Sequence, residues 1–131
     1  MDEHDPSPTL LLVSDDEALA ELVLEVVKRP WELARHRSDG YASLKMLTQP
    51  NVRLVVLDDE GVKESDRSWL LVQIHQRFIG SPIIYVAHRP SEGTERLART
   101  NGAHYYDSKP LALERFGQVL ESFLRIQQVK R

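Results

Sequence analysis

The sequence predicts an α/β domain in which five parallel strands form one sheet with helices on both faces. The runs at residues 10–13, 54–57 and 83–87 are almost continuously apolar and are bounded by polar residues. Runs of that length suit strands buried on both faces of a parallel sheet. Amphipathic stretches alternate with them along the chain, and that alternation supplies the crossover helices a parallel sheet needs. Acids also stand where two of the runs stop, with Asp15 and Asp16 one residue after the first and Asp58 directly after the second. Ligands of such sheets gather outside the carboxyl ends of the strands.

Each element follows from local signals. Residues 1–8 are expected to be a disordered tail, residues 9–127 the domain, and residues 128–131 a tail or the start of a linker. A first helix over 17–28 places Leu19, Leu22, Val23, Val26 and Val27 on one stripe, with Asp15 or Asp16 as its cap and Pro30 beyond its end. A weak strand at 32–36, a short helix at 41–47 and a strand at 52–57 come next. A helix over 66–78 stops before Gly80 and Pro82. The strand at 83–87, a thin helix at 92–100 and a strand at 103–106 follow. Pro110 precedes a last helix over 111–127, whose stripe is Leu113, Phe116, Leu120, Phe123, Leu124 and Gln127. Trp31 is expected to plug an edge and Trp69 to pack within the third helix.

Composition narrows the function. The 131 residues carry a net charge of -3, which gives no basic footprint for nucleic acid. There is no cysteine, hence no disulfide framework, thiol nucleophile or thiolate metal site. No apolar run approaches the roughly 18 to 20 residues that cross a bilayer, and the first eight residues are too acidic and polar for a signal peptide. A soluble cytoplasmic domain is the expectation. His75, His88 and His104 have no spacing suited to a metal and are expected at the surface, and Arg89, Arg96 and Arg99 on a solvated helix face.

The acids define a candidate site. Three carboxylates, Asp15, Asp16 and Asp58, repel one another unless a cation lies among them, and a hard, oxygen-seeking ion such as Mg²⁺ suits them. Lys109, late in the chain after another short apolar stretch, brings an ammonium to the same end of the sheet. Taken singly, the Asp15-Asp16 pair could simply cap the first helix, and Lys109 could be a solvated loop residue.

With Val13-Ser14-Asp15-Asp16-Glu17, Val55-Val56-Leu57-Asp58, and Gly102-Ala103 leading to Lys109-Pro110, the chain resembles the receiver domain of bacterial two-component response regulators over roughly residues 9 to 126. The resemblance implies a flavodoxin-like (βα)5 fold with strand order 2-1-3-4-5. It implies that Asp58 accepts a phosphoryl group from a sensor histidine kinase or phosphotransfer protein, with Mg²⁺ held by Asp15, Asp16, Asp58 and the main-chain carbonyl of Glu60. Lys109 would pair first with Asp58 and then with the phosphoryl oxygens. A downstream effector protein or output domain would read the change, and a homodimer is left open. Such a domain is a signalling module rather than an enzyme.

Departures from the family pattern matter as well. Its members usually carry Thr or Ser at the end of the fourth strand, whereas this strand ends in Ala87. Tyr106, three residues before Lys109, keeps the aromatic half of the two-residue switch. The loop Asp59-Glu60-Gly61-Val62 lacks the usual proline, and its two extra acids either strengthen cation binding or oppose a phosphoryl donor. Two functions therefore stand side by side: a phosphoacceptor receiver, and a pseudo-receiver that keeps the fold as an interaction module unswitched by phosphate. A haloacid-dehalogenase-type phosphatase would need a second aspartate where Glu60 stands, and no phosphate loop of a flavin-binding domain follows the first strand.

Overall fold

The computed structural model describes residues 7–37 and 47–129. Its strands are β1 (Thr9–Val13), β2 (Glu32–His36), β3 (Val52–Asp58), β4 (Ile83–Ala87) and β5 (Tyr105–Ser108). The helices described are α1 (Glu17–Val26), α2 (Arg67–Arg77), α3 (Glu92–Thr100) and α4 (Leu113–Val129). All strand pairs are parallel, and the sheet order is β2-β1-β3-β4-β5. The expected doubly wound fold and strand order are thus present.

Period-two alternation along the strands sorts the core into two layers. On one face Leu10, Leu12, Leu54, Val56, Ile84 and Val86 meet Leu19, Ala20 and Val23 of α1 and Phe116, Leu120 and Leu124 of α4. On the other, Leu11, Val13, Val55, Leu57, Ile83 and Tyr85 meet Leu70, Leu71 and Ile74 of α2 and Ala98 of α3. Trp31 is buried at 6% exposure, and its Nε1–H donates to the Leu124 carbonyl at 3.2 Å, tying the chain before β2 to α4. Gly80, at φ +89°, turns the chain out of α2 in a conformation that L side chains rarely adopt.

Several boundaries differ from expectation. Helix α1 ends at Val26, because Val27 is already extended while its N–H still reaches the Val23 carbonyl. A 3-10 turn, Glu64–Asp66, precedes α2. Strand β5 lies two residues later than expected, since its pairing with β4 runs from Ile84↔Tyr105 to Ala87↔Ser108 and so recruits the polar Asp107 and Ser108. Helix α4 starts at Leu113, whose side chain is 62% exposed instead of joining the stripe. Trp69 is 42% exposed on the outer side of α2, while Leu70, Leu71 and Ile74 fill the inner side. The helix expected at 41–47 falls, except for Leu47, outside the described residues.

The register brings the site together. Val13 pairs with Leu57, Asp58 with Val86, and Ala87 with Ser108. Ser14, Asp58 and Lys109 therefore emerge at the same, carboxyl end of the sheet.

Candidate functional site

Asp58, the last residue of β3, is fully buried, and both of its carboxylate oxygens are held. Oδ2 accepts from the Ser14 hydroxyl at 2.6 Å and from Lys109 Nζ at 2.9 Å. Oδ1 accepts from the Glu60 N–H at 3.0 Å. The Lys109 ammonium also lies 2.7 Å from Asp16 Oδ2 and 2.8 Å from Glu60 Oε1, so one cation stands among three carboxylates. Its backbone is fixed just past β5, where its N–H donates to the Ala87 carbonyl at 2.8 Å.

Asp16 serves two structures at once. Its Oδ1 caps α1 by accepting from the N–H groups of Ala18 at 2.9 Å and Leu19 at 3.2 Å. Its Oδ2 faces Lys109. The Ser14 hydroxyl accepts from the Asp16 N–H at 3.0 Å, which links the cap to the Asp58 carboxylate. This aspartate therefore caps α1 and at the same time lies beside the Lys109 ammonium.

These contacts set the charge states. The hydrogen bond from Lys109 holds the Asp16 carboxyl below the ordinary 3.8, against the opposing pull of its burial and with help from the Leu19 and Ala18 amides. Burial alone would lower the Lys109 pKa, but its bonds to Asp16, Glu60 and Asp58 raise it above the ordinary 10.5. A depressed carboxyl pKa stabilises the fold above its unfolded value, and the contribution is lost as the pH falls through the folded value. The acid limb of the stability profile below about pH 3.8 should therefore be less steep in Asp16→Asn than in the native chain. Urea midpoints across pH 2 to 5 (a range of roughly the carboxyl titrations) would show this, and equal limbs would remove Asp16 from the account.

Asp16, Asp58 and Glu60 each offer an oxygen, and these lie within 4.8 Å of one another. Asp15 stands outside that group, with its side chain 38% exposed and 4.0 Å from Arg37. Glu60 joins this group through its side-chain carboxylate. Ala87 is fully buried. Tyr106 is half-buried and stacks on Tyr85, with ring centroids 5.9 Å apart and planes 12° from parallel, and its hydroxyl reaches the Ser91 carbonyl at 3.5 Å.

Two parts of this end of the sheet were not singled out from sequence. One is Ser14, whose only signal was a hydroxyl residue between a buried strand and an acidic pair. The other surrounds Asp59, which is 1% exposed. Its Oδ2 accepts from the Tyr85 hydroxyl at 2.7 Å and lies 3.5 Å from the Arg67 guanidinium, while its Oδ1 lies 2.8 Å from both the His88 N–H and His88 Nδ1. Asp59 is thus turned into the protein rather than adding charge beside Asp58, and His88 is a partner of that acid rather than a surface histidine. An open groove of about 250 Å³ adjoins the site, lined by Asp16, Ala18, Leu19, Leu22, Lys109, Pro110, Leu111 and Leu113.

No family model matches the sequence, and no curated protein does. Solved structures do match. A CheY-like response regulator receiver domain from Methanospirillum hungatei is 19% identical, with 92% of this chain and 96% of that one covered at a TM-score of 0.72. The signal receiver domain of an HD domain-containing protein from Pseudomonas fluorescens is 24% identical, with 94% and 98% covered at 0.74. The chain has the receiver-domain fold. The Mn²⁺-bound form of response regulator Rcp1 shares this receiver fold at 24% identity, with 95% and 96% covered and a TM-score of 0.73. Among the described residues, no helix of this receiver-fold chain is long and apolar enough to cross a membrane.

Proposed function

We propose that the chain is a phosphoacceptor receiver domain of a two-component pathway, with Asp58 as the residue modified. The observation that carries this reading is a fully buried carboxylate at the carboxyl end of β3 whose Oδ2 shares the Lys109 ammonium with two further acids. In the proposed step an Asp58 oxygen attacks the phosphorus of a phosphohistidine on a sensor kinase or phosphotransfer protein. The O–P bond forms, the P–N bond breaks, and the partner's imidazole leaves. Lys109 follows the charge, moving from the carboxylate to the phosphoryl oxygens. The Ser14 hydroxyl and the Glu60 N–H keep the carboxyl group oriented meanwhile.

The donor set suits a hard divalent cation: Asp16, Asp58 and Glu60 present only carboxylate oxygens, within 4.8 Å of one another. The Mn²⁺-bound relative supports the same assignment. Bound there with Lys109 drawn aside, Mg²⁺ would neutralise charge on the incoming phosphoryl group. The groove beside Lys109, apolar at Leu19, Leu22 and Leu111, gives the kinase or phosphotransfer partner a place to sit. A downstream effector or output domain would read the modified state in the cytoplasm, without direct contact to nucleic acid.

Incubation with a small phosphodonor and Mg²⁺ should add one phosphoryl mass to the native chain, labile to hydroxylamine and absent in Asp58→Asn. A native chain that gains no mass, or an Asp58→Asn variant that does, counts against the assignment. Two observations favour a pseudo-receiver instead: Ala87 offers no hydroxyl at the end of β4, and Tyr106 is already stacked on the buried Tyr85.

A further inference from the structure

Asp59 makes more contacts than a loop acid requires. A carboxylate only accepts, so the close approach of His88 Nδ1 means that this nitrogen carries a proton. Asp59 thereby gathers the Tyr85 hydroxyl from β4, the main chain and ring of His88 from the loop after β4, and the guanidinium of Arg67 from the start of α2. Arg67 is itself only 11% exposed, and its Nε–H donates to the Val62 carbonyl at 3.2 Å, while the Val62 N–H returns to the Asp59 carbonyl at 3.0 Å. The loop that follows Asp58 and carries the Glu60 N–H is therefore tied down on both sides.

The ties continue toward α3. Tyr85 stacks on Tyr106, Tyr106 reaches the Ser91 carbonyl, and the Ser91 hydroxyl caps α3 by accepting from the Thr94 N–H at 3.2 Å. Burial, and after it the Asp59 carboxylate, push the Tyr85 hydroxyl's pKa up, so this donor keeps its proton.

We propose that Asp59 is a positioning residue whose buried carboxylate clamps the acceptor loop to the segment after β4, so that this segment and α3 keep one arrangement whether or not Asp58 is modified. A ligand shifts a conformational equilibrium only through a difference in its interaction with the two states. Among the donors through which the segment after β4 could answer a new anion, the amide and ring of His88 are already satisfied by an internal one. A phosphoryl group on Asp58 would have to displace Asp59 to recruit His88. The second half of the proposal rests on reading Asp58 as the phosphoacceptor; the clamp itself does not.

Amide hydrogen exchange and amide NMR shifts test both halves, with Mg²⁺ and beryllofluoride as the acyl-phosphate mimic. In the native chain the adduct should perturb Asp58 and Glu60 but leave the protection of the His88 amide and the shifts of α3 unchanged. In Asp59→Asn, without any adduct, protection of the His88 amide should fall about tenfold. It should fall by a lesser, roughly several-fold, amount in Tyr85→Phe, a variant that keeps the aromatic packing if the first does not fold. Native protection in both variants overturns the clamp, and an adduct-dependent shift of α3 in the native chain overturns the fixed arrangement. If beryllofluoride perturbs nothing at Asp58, the acceptor reading fails, while the clamp is still decided by the variants alone.

Discussion

Lys109→Met should destabilise the domain by about 2 to 3 kcal/mol without divalent cation and make its stability depend on Mg²⁺. Removing one partner of a fully buried ion pair costs about 3 to 5 kcal/mol, because the other charge is left behind. The loss here is smaller because Asp16 and Glu60, at 25% and 57% side-chain exposure, turn to water, whereas Asp58 at 0% cannot. A cation binding only the folded form returns RT ln(1 + [L]/Kd), about 2.7 kcal/mol at a hundredfold excess over Kd. Mg²⁺ should therefore restore most of the lost stability. Urea unfolding with and without Mg²⁺ measures this directly. A variant whose midpoint ignores Mg²⁺ would mean that the three carboxylates do not form a cation site.

The second large effect lies beneath the site. Phe116→Ala should cost about 3 to 5 kcal/mol, the range for deleting a buried aromatic ring. Phe116 is fully buried where α4 meets the sheet, one turn before Leu120 and two before Leu124. Against a total stability of about 5 to 15 kcal/mol that loss is severe, and Tm should fall by roughly 10 °C or more. The cavity should also loosen the segment between Lys109 and α4. Ile126→Ala on the same helix, at a residue 58% exposed, should cost less than about 1 kcal/mol. Equal losses in the two variants would mean that α4 does not dock through Phe116.

The elements that could be read from sequence were those with strong periodicity or unbroken hydrophobicity. Residues 83–87 and the acid after residues 54–57 are legible because a parallel sheet buries both faces of a central strand. The sequence places strand β5 two residues early because Asp107 and Ser108 look like turn residues. What makes them strand is the ladder to Val86 and Ala87, a tertiary contact with no local signature. Leu113 fits a helical stripe and Trp69 is expected to pack within its helix, but they lie at 62% and 42% exposure, since hydrophobicity alone does not say which residues find a partner surface. At the site, Asp16, Asp58 and Lys109 were legible as charges at strand ends. Ser14 and Asp59 were not: a lone serine carries little signal, and an aspartate next to the acceptor reads as added negative charge there, whereas its donors come from the start of α2, from β4 and from the residue after β4.

The double use of Asp16 constrains how this chain can drift. Asn and Ser cap a helix about as well as Asp, so a change to either would leave α1 intact while taking an acid from the group around Lys109. Glu at the same position would keep the acid but forfeit a good cap, at about 1 kcal/mol. The neutral path thus runs one way, toward a folded domain with a weaker centre. Among descendants of such a sequence, a cap without a charge should turn up far more often than a charge without a cap.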